Sequence, residues 1–322
     1  MYLSHFGLRE LPFTLTPNTQ FYLGLDSHNE ALAVLLTALT TGEGFIKIIG
    51  EVGTGKTLLC RKLLNEVPDN FVAAYIPNPD LKPDELRRAV AVELGVEEVH
   101  RMSTLTQRIQ ERLVALHDQG HSVVLILDEA QALPVESLEV LRLFTNLETE
   151  TRKLLQVVLF AQPELDEILS KRQFRQLRQR ITFSNQLKTL TADETHYYIQ
   201  HRLKVAGYKG PTLFSYALTK KLTKASKGIP RLVNVLCHKI LMLAYGQGRH
   251  TLTARHLILA INDTEDSQSI SLLRPQLLIN SKLIMASITV VSLVLVVGLI
   301  YLGADYLGVN YLATDNSTGV ID

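Results

Sequence analysis

The stretch GEVGTGKT, residues 50–57, follows directly on the apolar run FIKII, residues 45–49. It matches the pattern G-x-x-x-x-G-K-[ST], whose fixed positions here are Gly50, Gly55, Lys56 and Thr57. Glycines suit such a loop because phosphate groups can approach backbone N–H groups only where no side chain blocks them. The apolar run predicts a strand before the loop, and a helical pattern follows it. The stretch therefore predicts a phosphate-binding loop, with an ordinary glycine-rich turn as the alternative.

Each part of this loop has an expected task in binding ATP. Lys56 can reach the β- and γ-phosphates, and the Thr57 hydroxyl can bind Mg²⁺. The first turn of the following helix adds the partial positive charge of its N-terminus. The residues expected to bind the nucleotide are those of this stretch and the next residue, namely Gly50, Glu51, Val52, Gly53, Thr54, Gly55, Lys56, Thr57 and Leu58.

Two acidic residues end a second apolar run in LILDEAQ, residues 125–131. A carboxylate at the end of a buried strand lies at the edge of the sheet, so Asp128 is expected beside the phosphate loop as a ligand of Mg²⁺. Glu129 can orient a water molecule and take its proton during attack on the γ-phosphate. The alternative is a solvated strand end. Because a P-loop kinase does not need Glu129, the pair favours hydrolysis over transfer to an acceptor.

Two further polar residues are candidates for the same site. Gln162 follows the apolar run LLQVVLF, residues 154–160, and can help to hold the attacking water. Arg231 lies in GIPRL, residues 228–232, in the first turn of a predicted helix, where a cation opposes the helix dipole. This unfavourable placement suggests that Arg231 pairs with the γ-phosphate. The alternative is an arginine bonded to a carboxylate on the core.

A basic stretch, KRQFRQLRQRI at residues 171–181, precedes the last predicted strand. Arg180 lies immediately before that strand, where an arginine can project into the ATP site of a neighbouring subunit and stabilise charge in the transition state. Arg178 and Arg175 are the alternatives for this role. A solvated helix face and a nucleic-acid patch are the competing interpretations, although Phe174 is the one aromatic residue of the stretch.

Strand and helix patterns alternate up to about residue 190 and then give way to helices alone. Apolar runs predict five strands, separated by helices, which favours a parallel sheet covered on both faces; they are residues 45–49, 71–76, 123–127, 154–160 and 181–187. Capping boxes are predicted at Thr191 with Glu194 and at Thr104 with Gln107. The predicted organisation is a nucleotide-binding core at 1–190, a helical lid at 191–268, a linker at 269–282, a membrane span at 283–304 and a short tail at 305–322.

The predicted span, LIMASITVVSLVLVVGLIYLGA at residues 283–304, carries no charge. At about 1.5 Å per residue, a helix of this length crosses a hydrocarbon layer of about 30 Å. A buried core helix is the alternative. Arg274 and Lys282 precede the span, and the charged residues that follow it are all acidic, so residues 1–282 are expected in the cytoplasm. No cleavable signal peptide is expected at the N-terminus.

The composition is that of a packed globular chain of 322 residues, with 46% hydrophobic and 20% charged residues. The net charge of +1 argues against nucleic-acid binding through overall electrostatics. Two cysteines, Cys60 and Cys237, are too few for a disulfide framework, which favours a reducing compartment.

Together these motifs resemble an AAA+ ATPase with a P-loop core. In the sequence the resemblance extends to the general secretion pathway A, or ExeA-like, group, and within it the chain looks most like the MshM ATPases linked to biogenesis of the mannose-sensitive haemagglutinin (MSHA) type IV pilus. The stretches that carry it are FGLRELPFTLTPNTQFYL (6–23), GFIKIIGEVGTGKTLLCRKLL (44–64), AQPEL (161–165), LRQRI (177–181) and KGIPRLVNVLC (227–237).

The resemblance implies ATP hydrolysis with Mg²⁺, homo-oligomeric rings such as hexamers, and work on pilus or secretion assembly proteins at the bacterial inner membrane. It also implies that Gln162 and Arg231 occupy sensor positions and that Arg180 is an arginine finger. The secretion ATPase continues beyond its span into a peptidoglycan-binding region, whereas residues 305–322 are short. We therefore expect a partner to bind the cell wall, which favours the pilus interpretation.

Two other functions fit parts of the sequence. A DNA-binding AAA+ ATPase of the transposition type shares the LDEAQ style of motif, but the predicted span and the low net charge count against it. A non-hydrolysing scaffold, stabilised by bound nucleotide, would need the phosphate loop but not Glu129. Release of phosphate separates this scaffold from an ATPase.

Overall fold

The computed structural model describes residues 2–16, 18–97, 99–148 and 153–268. Five strands form one sheet in the order β2-β3-β4-β1-β5, and every neighbouring pair is parallel. The strands are β1 Phe45–Ile49, β2 Phe71–Ile76, β3 Ser122–Leu127, β4 Leu155–Ala161 and β5 Phe183–Gln186. The predicted parallel five-stranded α/β fold is confirmed.

The strand order explains why distant motifs meet. Because β4 lies between β3 and β1, the carboxyl ends of these three strands lie side by side at one edge of the sheet. The phosphate loop follows β1, the Asp-Glu pair follows β3, and Gln162 follows β4. In open α/β sheets, this edge is the usual place for a ligand site.

Helices cover both faces of the sheet. The helices that precede β5 in the chain are α1 Leu3–Phe6, α2 Asp26–Thr40, α3 Lys56–Glu66, α4 Pro83–Glu93, α5 Met102–Asp118, α6 Val135–Phe144, α7 Glu164–Ser170 and α8 Arg175–Arg180, and those from α2 onward pack on the sheet. One apolar cluster joins α2 and α3 to alternate residues of the strands, such as Ile126 and Val158. A second cluster joins α4 to α8 to the intervening residues, such as Leu125 and Val157. All seven residues of β4 are buried, as expected for a central parallel strand.

Helices are the only regular secondary structure of the described chain from residue 192 to 268. They are α9 Ala192–Val205, α10 Tyr216–Ser226, α11 Pro230–Gly246, α12 Ala254–Asn262 and α13 Glu265–Gln268. The capping box that begins α9 is present: the Thr191 hydroxyl accepts from the Glu194 N–H at 3.3 Å, and the Glu194 carboxylate accepts from the Thr191 N–H at 2.8 Å.

The second predicted capping box, at Thr104, is wrong. Helix α5 begins at Met102 with Arg101 as its N-cap, and the Leu105 N–H donates to the Arg101 carbonyl at 3.0 Å. Met102 packs against the apolar core, and Leu105 is fully buried. The burial of these two side chains places the helix start before the local capping signal.

The N-terminal segment, residues 2–16 and 18–25, packs on the later helices. The Tyr2 hydroxyl lies 2.8 Å from His238 Nδ1 on α11, and the Arg9 N–H donates to the Ala206 carbonyl at 2.8 Å. Arg202 on α9 donates to the Pro12 carbonyl at 2.5 Å. The segment therefore connects the helical region to α2.

The predicted linker, membrane span and tail, residues 269–322, lie outside the described residues. Among the residues that the structure describes, no helix combines the length and the apolar character needed to cross a membrane.

Candidate functional site

The phosphate loop has the close packing that requires glycine. Gly53 has φ +81°, and a Cβ placed on it would lie 2.6 Å from the Arg231 Cβ. Gly55 has φ +101°, and a Cβ there would lie 3.0 Å from His28 Nε2. A side chain would therefore be strained at both positions, would clash with Arg231 at Gly53 and would crowd His28 at Gly55. The loop is a backbone cradle, as the sequence pattern predicts.

Lys56 is buried at the start of α3, and its amine is directed into the loop. Its Nζ donates to the Gly50 carbonyl at 2.8 Å and to the Glu51 carbonyl at 3.2 Å. Burial lowers the pKa of Lys56, while the charges of Glu129 and Asp128 act in the opposite direction. A desolvated amine beside two carboxylates is well placed to bind phosphate oxygens, which would add negative charge to its surroundings.

Asp128 and Thr57 supply oxygen atoms at the same point. Burial raises the pKa of Asp128, and a hydrogen bond from the Thr57 side chain partly offsets this rise. The Asp128 carboxylate also accepts from the Glu129 N–H at 3.0 Å. A hydroxyl in contact with a carboxylate is the hard oxygen donor set that Mg²⁺ prefers in nucleotide sites, where phosphates and water complete the coordination. These two residues therefore fit the predicted metal role.

Glu129 has an unusual backbone conformation at the end of β3. Its φ of 52° lies in the left-handed region, which costs a residue with a side chain roughly 1–2 kcal/mol. Its carboxylate Oε2 accepts from Gln131 Nε2 at 2.6 Å and from Gln162 Nε2 at 3.0 Å. Strain of this kind persists where the surroundings hold it, and here two amides fix the carboxylate in the pocket.

The same amides control the protonation of Glu129. Burial would raise the pKa of this carboxyl group, but the hydrogen bonds from Gln162 and Gln131, together with the charge of Lys56, outweigh it and leave the pKa lowered. Glu129 is therefore ionised at neutral pH and able to accept a proton from water.

Gln131 was missed as a functional residue by the sequence analysis. Besides contacting Glu129, its Oε1 accepts from the Gln162 N–H at 3.0 Å, so it bridges the ends of β3 and β4. The only signal in the sequence was its place two residues after Glu129 in LILDEAQ. Gln162, by contrast, was expected near the two acids, and the structure places it there.

A cavity of about 210 Å³ extends from the phosphate loop. Its wall beyond the loop comes from the N-terminal segment, from His28 on α2 and from the helices α9 and α11. None of these residues was predicted except Arg231; they are Thr14, Leu15, Thr16, Asn18, Phe21, Tyr22, Leu23, Leu25, His28, Tyr198, Arg202, Pro230, Arg231 and Asn234. This part of the cavity has the position expected for the nucleoside half of a bound nucleotide.

His28, on α2, supports the phosphate loop from behind. Its Nε2 lies 2.9 Å from the Thr54 carbonyl, and its Nδ1 is buried with no partner among the described residues. The neutral form with the proton on Nε2 satisfies this arrangement. Burial lowers the pKa of His28, and the hydrogen bond to Thr54 acts against that change.

The two predicted arginines lie in different places. Arg231 lines the cavity, and its backbone N–H donates to the Gly53 carbonyl at 3.2 Å, so the first turn of α11 contacts the phosphate loop directly. Arg180 does not line the described part of this cavity. Its Nη1 donates to the Thr145 carbonyl at 3.2 Å, at the end of α6. Arg175 and Arg178 are exposed on α8.

Comparisons with known proteins agree with this site. A family model described as "AAA domain" matches residues 39–169, which include the phosphate loop, the Asp-Glu pair and Gln162. The chain is also 41% identical over 262 residues to general secretion pathway protein A of Aeromonas hydrophila. The chain contains an AAA domain and is similar to general secretion pathway protein A. The match covers 81% of this chain but only 48% of the relative, so the chain spans about half of the relative's length.

Solved structures with the same fold are much more distant in sequence. The ORC1 protein of Aeropyrum pernix in complex with DNA is 18% identical, with a TM-score of 0.58, over 80% of this chain and 69% of that one. Cdc6p of Pyrobaculum aerophilum is 17% identical, with a TM-score of 0.57, over 76% of this chain and 70% of that one. At these identities the comparison supports the P-loop AAA fold alone.

Proposed function

We propose that this AAA protein binds ATP with Mg²⁺ and hydrolyses it. The observation that carries the proposal is the Glu129 carboxylate, which Gln131 and Gln162 hold at the phosphate loop. A scaffold that only bound nucleotide would need the loop, but it would have no use for a strained, ionised acid beside it. Glu129 therefore has the position and the charge of a general base that accepts a proton from a water molecule.

Each residue then has one task. The loop amides and Lys56 bind the phosphates, Thr57 and Asp128 hold Mg²⁺, and Glu129 takes a proton from the attacking water. Bound Mg²⁺ would neutralise part of the charge that develops on the phosphate oxygens. Arg231 reaches the γ-phosphate from the first turn of α11.

Arg180 acts in this proposal on the ATP site of a neighbouring subunit. Two observations support the assignment: Arg180 is bonded to Thr145 rather than directed into the cavity of its own chain, and it lies three residues before the start of the edge strand β5. The active form is then a homo-oligomer, with a ring such as a hexamer as the expected assembly. The arginine contributes by stabilising transition-state charge across the subunit boundary.

The cellular role follows from the relative and from the predicted span. We propose a single-pass protein of the bacterial inner membrane, with the AAA domain in the cytoplasm, that drives assembly of a type IV pilus of the MSHA kind or of a related secretion apparatus. The similarity to general secretion pathway protein A supports a role in secretion. The apolar stretch 283–304 supports the anchoring.

The decisive experiment measures phosphate release by the purified full-length chain, in detergent, across a range of protein concentrations. Activity per subunit should rise with concentration, because the arginine comes from a neighbour. Arg180→Ala should remove this rise, whereas Arg172→Ala, at an exposed position of the same basic stretch, should keep it. A chain that binds ATP without releasing phosphate at any concentration would contradict hydrolysis.

A further inference from the structure

Arg202 is a buried cation in the wall of the cavity, although no described carboxylate pairs with it. It is 6% exposed on α9, and its guanidinium lies 4.7 Å from the centre of the Phe21 ring. Its Nε donates to the Pro12 carbonyl and its Nη1 donates to the Tyr198 hydroxyl at 2.9 Å. A buried charge is destabilising unless hydrogen bonds replace its contacts with water, and for Arg202 the Pro12 carbonyl and the Tyr198 hydroxyl supply them.

The hydrogen bonds from Arg202 continue through two more residues of the cavity wall. The Tyr198 hydroxyl donates to Asn234 Oδ1 at 3.1 Å, and both residues are at least nine-tenths buried. A guanidinium can only donate, so the Tyr198 oxygen must accept from Arg202. The single proton of Tyr198 then needs an acceptor, and Asn234 Oδ1 is the acceptor that the described residues provide.

This chain of bonds fixes the orientation of the Asn234 carboxamide. In the reversed orientation, the NH₂ group of Asn234 would face the tyrosine and leave the buried hydroxyl proton without an acceptor, which is strongly unfavourable. With Oδ1 bound to Tyr198, the NH₂ group is the part of the side chain left to bind a ligand. Asn234 lines the cavity, so it offers a donor there.

The position of Asn234 relates this donor to the nucleoside half of the ligand. Arg231, three residues earlier on α11, contacts the phosphate loop through Gly53. Asn234 lies about 4.5 Å further along the helix axis, on the same face. Asn234 accepts from Tyr198, Tyr198 accepts from Arg202, and Arg202 donates to the Pro12 carbonyl of the N-terminal segment. The donor is therefore displaced from the phosphates toward the ribose and the base.

We propose that Arg202 is a positioning residue for the nucleoside: acting through Tyr198, it holds Asn234 so that its NH₂ group donates to an acceptor atom on the ribose or base of ATP. The proposal rests on nucleotide binding as proposed above and goes further, because it assigns recognition of the nucleoside to Asn234, which Tyr198 and Arg202 hold in position. Arg202 also bonds Pro12 and so joins the N-terminal segment to the same wall.

The test compares two ligands on the full-length chain by calorimetry: ATP, and inorganic tripolyphosphate, which lacks the nucleoside. Tyr198→Phe removes the bridging hydroxyl and keeps the ring. It should lower ATP affinity about threefold to tenfold, as expected for one net hydrogen bond, and leave tripolyphosphate affinity unchanged. Arg202→Gln should have the same effect, because glutamine can accept the tyrosine proton and release Asn234. Arg202→Lys keeps a side chain that only donates and should stay closer to wild type.

Arg112→Gln is the matched control, since Arg112 also donates to a backbone carbonyl, that of Leu94, at 3.0 Å, but lies outside the cavity. Its affinities for both ligands should equal those of wild type. Equal losses of ATP and tripolyphosphate affinity in Tyr198→Phe would overturn the proposal, because they would indicate a purely structural role. Unchanged ATP affinity would overturn it as well.

A second variant keeps the test decisive if the Arg202 substitutions prevent folding, which thermal melting would reveal. Asn234→Asp retains the acceptor for Tyr198 and replaces the NH₂ group with an acceptor oxygen. It should weaken ATP more than tripolyphosphate, and an equal effect on both would contradict the assignment. Failure of the wild-type chain to bind ATP would instead refute the proposed function itself.

Discussion

The phosphate half and the nucleoside half of the cavity are built in different ways. The phosphate half uses residues that follow directly on three central strands, and its loop occupies one continuous stretch, residues 50–57. The nucleoside half collects residues from the N-terminal segment, α9 and α11, which lie far apart in the chain. A site can be recognised in a sequence where its chemistry requires an unusual backbone. A site formed by ordinary side chains that meet through tertiary packing cannot be recognised in the sequence in this way.

The largest effect should come from breaking the phosphate half. Lys56→Ala removes the buried amine that binds the loop carbonyls and is placed for the phosphates. Loss of a charged hydrogen-bonding group costs up to about 3 kcal/mol, so ATP affinity should fall roughly 100-fold, with loss of phosphate release. Fluorescent nucleotide titration measures the affinity. Lys220→Ala, at an exposed position on α10, should bind normally, and a Lys56 variant that did so too would refute the role of the loop.

The next effect separates chemistry from binding within the same half. Glu129→Gln keeps the size of the side chain but removes the proton acceptor, so turnover should fall about 100-fold or more while ATP affinity stays within a few-fold of wild type. Single-turnover phosphate release and nucleotide titration measure the two quantities. Glu136→Gln, in the exposed first turn of α6, is the control. Normal turnover in Glu129→Gln would show that another group acts as the base.

These two predictions rest on residues that the sequence already identified, and the reason is physical. A glycine pattern is rare because φ above zero and close backbone approach exclude other residues, as at Gly53. Asp128 and Glu129 end an apolar run, so the parallel sheet itself brings them to the loop. Tyr198 and Asn234 carry no such signal, because a tyrosine and an asparagine are common on any helix. Their contact depends on how α9 packs on α11.

The same distinction holds for the fold. The alternation of apolar runs and helices predicted the sheet, yet β5 is shorter than its predicted run 181–187 and covers Phe183–Gln186. As an edge strand it pairs only with β1 and is mostly exposed, so its ends lack the partners that define a central strand. The start of α5 was misplaced because burial of Met102, which a local capping pattern does not report, extended the helix.

A third prediction concerns the contact between Leu190 and Gly228, which connects the helices that carry the nucleoside half. Gly228 has φ +69°, its carbonyl accepts from the Leu190 N–H at 2.8 Å, and a Cβ there would lie 2.1 Å from the Leu190 carbonyl oxygen. Gly228→Ala should therefore lower the free energy of unfolding by about 2 kcal/mol or more, from left-handed strain and the backbone clash. Urea unfolding of the full-length chain measures this change.

Gly246 provides the matched comparison, because a Cβ there would meet nothing within 4 Å and the residue lies in α11. Gly246→Ala should raise the free energy of unfolding by up to about 1 kcal/mol. Equal stabilities of the two variants would show that the contact between Leu190 and Gly228 contributes little to the position of the helices.

The smallest effect concerns His28, which contacts the phosphate loop on one side and the start of the nucleoside wall on the other. Its pKa in the folded chain is lowered by burial, so the unfolded chain takes up a proton near the ordinary value of 6.5 while the folded chain does not. Stability must then rise with pH through this window and be lost as pH falls below about 6.5.

The melting temperature should fall between pH 7.5 and 5.5, and His28→Gln, which can still donate to Thr54, should reduce that fall. His100→Gln, at an exposed position, should keep the wild-type dependence. The same dependence in His28→Gln would mean that the other buried histidines account for it, and that His28 supports the loop without linking its stability to pH.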